Sequence, residues 1–456
     1  MSRKIFFQND DDINEIIHRY EQFLSGKASG YFDIEEFENI AEYYLQKGRT
    51  KDSSRAIEFG IKLHPTSSEL KTKRAKIYLA SGNAEKAYQL LESLADKNDY
   101  EVILLKIQAL VHMRRLSEAY QLCNRVIDFE NEGKDDVLLD IAYIYIEHGY
   151  FNEAMEWLLK GYKINPKNSD LLFELAFCYE QLDEDEKAIV IYNKIIDLDP
   201  YSSEAWFNLG QIYFTSQEFS KAIEAYDFVL AIDENDSLAC LQKAHAHFQL
   251  NQFKEAIESY KEYAELTSDS EQANIYIAES FEKMDQFDDA ISYYQRSLKI
   301  QPDNYDALLG IGACLLEKEK FKESIQFISK ALHINKEDTD AWNYLGEDYL
   351  RMDDIDNALL CYLKSITLDP SQPETLMIIA NINLEKGDYN TALEFYLQVL
   401  QQDNTVEYLY LFLAITYYKI GNKTLAYAYL KKAIQENEEA SSMFLEICPE
   451  AIDPIL

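Results

Sequence analysis

Glycine and proline are scarce in this chain, 14 and 8 in 456 residues, about half the average usage or less. Sheet proteins place such residues in their many turns, so the scarcity excludes a strand-rich fold and points to helices with short connections. Basic side chains are also few, 44 Lys and Arg against 81 Asp and Glu, for a formal net charge of −37. That balance excludes a nucleic-acid surface or an anionic membrane surface, both of which need clustered Lys and Arg. A basic or amphipathic protein segment is the partner such a field attracts; the same charge also keeps copies of a long chain apart. The six cysteines (Cys123, Cys178, Cys240, Cys314, Cys361, Cys448) never come closer than 47 residues. This excludes a zinc knuckle or a paired-cysteine redox site and leaves small buried hydrophobes in a reducing compartment. No apolar run is long enough to span a bilayer, the longest lying near Leu409–Tyr418. The opening MSRKIFFQNDDD meets acids before an apolar core forms, so it reads as no signal peptide. The expected location is cytoplasmic.

What the chain has is a repeat. Pro166 and Pro200 are 34 residues apart, Pro302 and Pro370 fall on multiples of the same step, and Trp206 and Trp342 are four steps apart. Ala154, Ala188, Ala222, Ala256, Ala290, Ser324, Ala358, Ala392 and Ala426 recur at an unbroken 34-residue interval. One unit, residues 202–235, shows the pattern. Trp206, Leu209, Gly210 and Tyr213 share a helical face, and after a break near Ser216–Glu218 a second face follows at Ala222, Ile223, Tyr226, Val229 and Leu230. Each unit is therefore two helices of about 13 residues joined by a tight turn, and neighbouring units must stack to bury their apolar faces. The chain is expected to form one elongated array.

With Ser203 as position 1, position 8 is Ala or Gly in all repeats but the third, where it is Ile107, and position 20 is Ala or Ser. Small residues there let the two helices approach closely, and enlarging one, as in Ala222→Leu, is expected to cost about 1–3 kcal/mol. Positions 11 and 24 favour tyrosine, and proline at position 32 ends the second helix. The packing face is read as positions 1, 4, 8 and 11.

Trp at 4, Leu at 7, Gly or Ala at 8, Tyr at 11, Ala at 20, an aromatic at 24 and Pro at 32 resemble the tetratricopeptide repeat. The resemblance implies an all-α fold, a right-handed α-α superhelical solenoid. Its boundaries are expected as a capping helix and loop over 1–33 and twelve repeats over 34–440. The repeats run 34–67, 68–99, 100–134, 135–168, 169–202, 203–236, 237–270, 271–304, 305–338, 339–372, 373–406 and 407–440, and a closing helix and tail take 441–456. The second and third repeats depart from the 34-residue length, the third carrying an insertion at Asn131–Lys134.

Signatures for chemistry are missing. Gly310-Ile311-Gly312 begins like a dinucleotide fingerprint, but Leu315 replaces the third glycine and no strand precedes it. His245 and His247 are two apart on a helix and diverge, so they cannot share a metal. His247 stands where other repeats place Tyr and reads as core. The acidic run Asp183–Glu186 lacks the glycine of a calcium loop and reads as a solvated turn. No enzyme, cofactor or metal is expected.

The resemblance implies a ligand groove lined by the first helices, at positions 2, 5, 9, 12 and 13. That face offers acids first (Glu35, Glu38, Glu42). A central stretch then carries Tyr143, Phe173, Phe177, Phe207, Gln211, Phe214, His245 and Phe248. A mixed set follows, including Glu279, Asn343, Glu347 and Arg351. Exposed aromatics on a groove are the usual material of binding hot spots. These eight residues are the candidate protein-binding site, although Phe214 and Phe248 also suit packing between helices. Position 2 is acidic in most repeats, including Asp170, Glu204, Asp306 and Asp340; there a carboxylate complements the helix dipole. The family's carboxylate clamp is not matched: Thr72 and Lys76 are followed by Leu104 and Gln108, then Leu139 and Tyr143. The expected function is a non-catalytic scaffold or adaptor that binds a peptide or helix of a partner with apolar and basic side chains. The alternative is a regulatory sensor or assembly factor whose groove takes a peptide or small ligand. Self-association through Ile452, Ile455 and Leu456 is a further alternative.

Overall fold

The structure, a computed structural model, describes residues 10–26, 30–96, 98–129, 133–268 and 270–451. Its described residues hold 26 helices and no strand. They are α1 (Asp10–Leu24), α2 (Ile34–Gln46), α3 (Thr50–Leu63), α4 (Ser68–Ala80), α5 (Ala84–Glu92), α6 (Tyr100–His112), α7 (Leu116–Phe129), α8 (Lys134–Ile146) and α9 (Phe151–Ile164). Next come α10 (Ser169–Gln181), α11 (Asp185–Leu198), α12 (Ser203–Thr215), α13 (Phe219–Ile232), α14 (Ser237–Gln249), α15 (Phe253–Leu266), α16 (Glu271–Glu282), α17 (Phe287–Ile300) and α18 (Tyr305–Glu317). The rest are α19 (Phe321–Ile334), α20 (Thr339–Arg351), α21 (Ile355–Leu368), α22 (Pro373–Glu385), α23 (Tyr389–Gln402), α24 (Leu409–Ile420), α25 (Lys423–Glu436) and α26 (Ala440–Ile447). The fold is all-α. The chain divides into two compact units, Met1–Ile212 and Tyr213–Leu456.

Every turn between a first and a second helix has the same backbone. Position 15 is left-handed in all twelve: glycine at Gly48, Gly82, Gly149, Gly387 and Gly421, but Arg114, Asp183, Gln217, Asn251, Asp285, Glu319 and Asp353 elsewhere. The next residue then donates its N–H back across the helix end, as Asn83 does to the Tyr78 carbonyl, Glu184 to Tyr179 and Lys320 to Leu315, at 2.8–2.9 Å. This is a Schellman closure, which satisfies carbonyls the first helix would leave open. The same residue accepts from position 20 and so begins the second helix, as Lys320 does from Ser324 at 3.0 Å. Asp183, in the acidic run, is one of these turn residues.

The return connection is also built from side chains. Ser67, Asp99, Asn168, Asp236, Ser270, Asn304 and Asp338 each cap a first helix by accepting a backbone N–H three residues on. The position-4 tryptophans bind the connection from inside. Trp206 Nε1 donates to the Pro200 carbonyl at 3.1 Å, and Trp342 Nε1 to the Lys336 carbonyl at 3.0 Å.

Close approach between the two helices of a hairpin rests on small residues. A Cβ on Gly312 would come within 2.4 Å of Ile328, and one on Gly346 within 2.9 Å of the Tyr362 ring. The position-24 tyrosines Tyr192, Tyr226, Tyr260, Tyr294, Tyr362 and Tyr396 are all buried, as are all six cysteines. The packing face differs from the expected one. In α18 the buried residues are Ala307, Leu308, Ile311, Gly312, Cys314, Leu315 and Leu316, so positions 3, 7, 10 and 12 join 4, 8 and 11, while position 1 is only half-buried. The reason is that α18 touches both α19, its own partner, and α17 of the preceding repeat. A helix between two others needs two buried faces. His247 also departs from expectation: it is half-buried, with Nδ1 2.7 Å from Gln252 Oε1.

Each end is closed by an extra helix. Ile13, Ile17 and Tyr20 of α1 join Phe32, Phe37, Ile40 and Tyr44 in one cluster, and Phe444 of α26 packs edge-on against Tyr418 at 5.6 Å. Ile452, Ile455, Leu456, Asn131 and the residues before Asp10 lie outside the described residues.

Two predictions follow from the backbone and the helix contact. Glu319→Gly relieves a left-handed residue and should raise stability by about 0.5–1 kcal/mol, whereas Gly149→Ala, where φ is +75°, should lower it by a similar amount. Urea midpoints of each variant against wild type check the opposite signs. Gly312→Ala has normal helical backbone but no room, and should cost about 1–3 kcal/mol by the same measurement.

Candidate partner-binding face

The first helices carry the candidate residues, and each unit is considered separately. In the first unit Tyr143 of α8 is 37% exposed, and its hydroxyl bonds to Glu174 of α10. Burial, and then the carboxylates of Glu174 and Asp170, push the Tyr143 phenol up to about 12. Burial also raises Glu174, helped by Glu204 and Asp170 and opposed by the Tyr143 bond. Phe173 is half-buried, its ring 6.2 Å from Tyr192. Phe177, on the same helix, is 38% exposed and meets Phe151 edge-on at 6.1 Å. Phe207 and Gln211, on α12, are half-buried.

In the second unit the three remaining candidates are held by neighbouring rings. Phe214 lies 5.3 Å from Phe219, and Phe248 lies 5.3 Å from Phe253, both edge-on across their own helical turns. His245 has Nδ1 2.7 Å from the Tyr260 hydroxyl and its ring 4.9 Å from Tyr276. Burial pushes its imidazole down, which favours the neutral form. His245 thus belongs to a three-ring cluster, while Phe248 also reaches a cavity.

That cavity, of about 310 Å³, opens among α14, α16, α17, α18 and α20. Its lining is Phe248, Glu279, Glu282, Lys283, Tyr294, Asp306, Leu309, Gly310, Ala313 and Tyr344. Tyr294 donates to Glu282 Oε2 at 2.9 Å. Gly310 is required by this ring, because a Cβ there would meet Tyr294 at 2.3 Å. Glu279 is pushed up to about 7 by burial first, then by Glu282 and Asp306, with Lys283 opposing. The notch is a negatively charged pocket with aromatic walls, suited to a cationic side chain with an apolar stem.

Position 6, which supplies Gly310 and Tyr344 here and Glu174 in the first unit, was not among the positions read as the groove face. At about 100° per residue it falls about 40° from position 2 and 60° from position 9, so the helical wheel could have included it. Glu279 and Asp306 were visible one at a time. Their convergence was not, because it depends on how adjacent repeats stack. Among the described residues no group of three or more His, Cys, Asp and Glu could hold a metal ion, and no helix is long and apolar enough to cross a membrane.

No curated protein matches the chain. Solved structures match the chain at low identity. The Cut9–Hcn1 hetero-tetramer of APC/C is 14% identical, with 98% of this chain and 99% of that one covered and a TM-score of 0.42. The C-terminal part of a repeat protein from Cytophaga hutchinsonii is 20% identical over 52% of this chain and 98% of its own, with a TM-score of 0.43. YrrB, described as having an unusual peptide-binding site, is 18% identical over 41% of this chain and 95% of its own, at 0.35. Models described as tetratricopeptide repeat match residues 135–168, 169–212, 203–236, 238–270, 283–364 and 345–407, together more than half of the sequence. With helical pairs of this length and turn throughout, the chain belongs to the tetratricopeptide repeat family of protein-interaction scaffolds.

Proposed function

We propose that this protein is a non-catalytic adaptor that binds a partner segment along its first helices, with a Lys or Arg of that segment seated in the Glu279 notch. The observation that carries the reading is the notch: three carboxylates, Glu279, Glu282 and Asp306, converge on a cavity walled by Phe248, Tyr294 and Tyr344. A cation entering it offsets the burial, and after it the repulsion from Glu282 and Asp306, that raise Glu279. It also enters the aromatic surroundings in which a cation interacts favourably with ring faces. In the other unit the half-exposed Phe173 and Phe177 offer a separate apolar surface. A cytoplasmic setting is in keeping with six free cysteines.

The test uses short labelled peptides that carry a central Lys or Arg between apolar residues, beside the same peptides with norleucine or Glu at the centre. Fluorescence anisotropy should detect only the basic series. Glu279→Gln combined with Asp306→Asn should weaken binding at least about tenfold, because the cation loses its paired charges. Preference for the Glu series, or equal binding by the double variant, would reject the notch. The triple variant Phe173→Ala, Phe177→Ala, Phe207→Ala tests the first unit separately.

A pH series adds a second check. A cationic ligand favours ionised Glu279, so its affinity should be greatest above pH 7 and decline as pH falls through about 7. Glu279→Gln should flatten that decline.

A further inference from the structure

Behind the notch, three helices meet at one buried hydroxyl. Ser324 of α19 is fully buried, as is Asp348 of α20. Ser324 Oγ stands 2.9 Å from the Gly312 carbonyl of α18 and 2.6 Å from Asp348 Oδ2. A serine hydroxyl has one proton to donate, and a carbonyl can only accept. Two full hydrogen bonds, neither sharing a proton, require Ser324 to donate to Gly312 and the carboxyl of Asp348, carrying a proton, to donate to Ser324. With Asp348 ionised, Gly312 and Asp348 compete for the single serine proton, and the contacts weaken.

The surroundings favour the neutral carboxyl. Asp348 Oδ1 has no hydrogen-bond partner, and among the described residues no cation pairs with Asp348. On its own helix the ionisable neighbours are Glu347, a like charge, and Tyr349; on α21 it is Tyr362. From α19 it meets the Ser324 hydroxyl and, through that hydroxyl, the Gly312 carbonyl of α18. Burial, with Glu347 adding to it and Ser324 opposing, pushes the Asp348 carboxyl up to about 7.

We propose that Gly312, Ser324 and Asp348 form a proton-held latch across α18, α19 and α20, closed when the carboxyl is neutral and loosened when it ionises. Two of the latched helices, α18 and α20, supply Asp306, Gly310 and Tyr344 to the notch. Loss of the proton therefore loosens one wall of the notch, whether or not a peptide binds there. In the unfolded chain an aspartate titrates near 3.9. The folded chain therefore holds a proton that the unfolded chain has released. The stabilisation is complete below the unfolded value and is lost as pH rises toward and through about 7.

Amide hydrogen exchange on the full chain tests this, with rates corrected for their intrinsic pH dependence. Between pH 5 and 7 the opening constant of α19 and α20 should rise by up to about tenfold per pH unit relative to α24 and α25. Asp348→Asn, whose amide can still donate to Ser324, should remove that rise. The same slope in wild type and variant would overturn the latch. Aspartate-only carbon-13 labelling of the wild-type protein reads the group without any substitution. One aspartate carboxyl titrating above pH 6, and missing in Asp348→Asn, is expected. If every aspartate titrates below pH 5, the latch does not exist.

Discussion

A left-handed residue in the turn between paired helices is the constraint from which the other features descend. It reverses the chain in three residues, and the residue after it both closes the first helix and opens the second. So short a turn leaves the helices no freedom of separation. Position 8 then faces positions 20 and 24, which explains Gly312 against Ile328 and Gly346 against Tyr362. The space left beside these small residues is filled by the position-24 tyrosines. Seven repeats meet the backbone requirement without glycine, so packing of the two helices overrides the local preference of residues such as Arg114 and Glu319.

Those tyrosines connect the core to the polar side of the first helices. Tyr192 donates to Glu180 at 2.5 Å and Tyr294 to Glu282 at 2.9 Å, both at position 12; Tyr396 donates to Asn381 at 2.6 Å, at position 9. A phenol hydroxyl gives a half-buried carboxylate a donor in a chain with 81 acids and only 44 basic residues. Where donors do not suffice, the acid holds its proton to higher pH instead, as Glu279 and Asp348 do. The excess of negative charge is thus handled in three ways: solvation on the first turns of helices, tyrosine donors along the first helices, and retained protons at the most enclosed sites.

Much of this could be read from residues alone. The 34-residue step, the small residues at positions 8 and 20 and the tyrosines at 24 are local consequences of one hairpin, repeated, and they imply paired helices wherever they occur. The left-handed position was harder to see, because glycine marks it in only five turns. The packing face was read too narrowly, since a hairpin considered singly gives its first helix one buried face and a stack gives it two. Phe214 and Phe248 show a similar limit: their sequence positions suit either a ligand or a core, and the structure sets the rings of Phe219 and Phe253 beside them while Phe248 also lines the notch.

By itself, then, the sequence determined the family, the helical hairpin and the small residues on which close packing rests, because each is set by contacts within about 34 residues. The tertiary structure decided what lies between repeats. Glu279, Glu282 and Asp306 are ordinary acids until α16 and α18 bring them to one cavity. Asp348 is an ordinary helix aspartate until α18 and α19 enclose it. Charge and burial act through space over a few ångströms, and stacking brings together residues that the chain holds a full repeat apart.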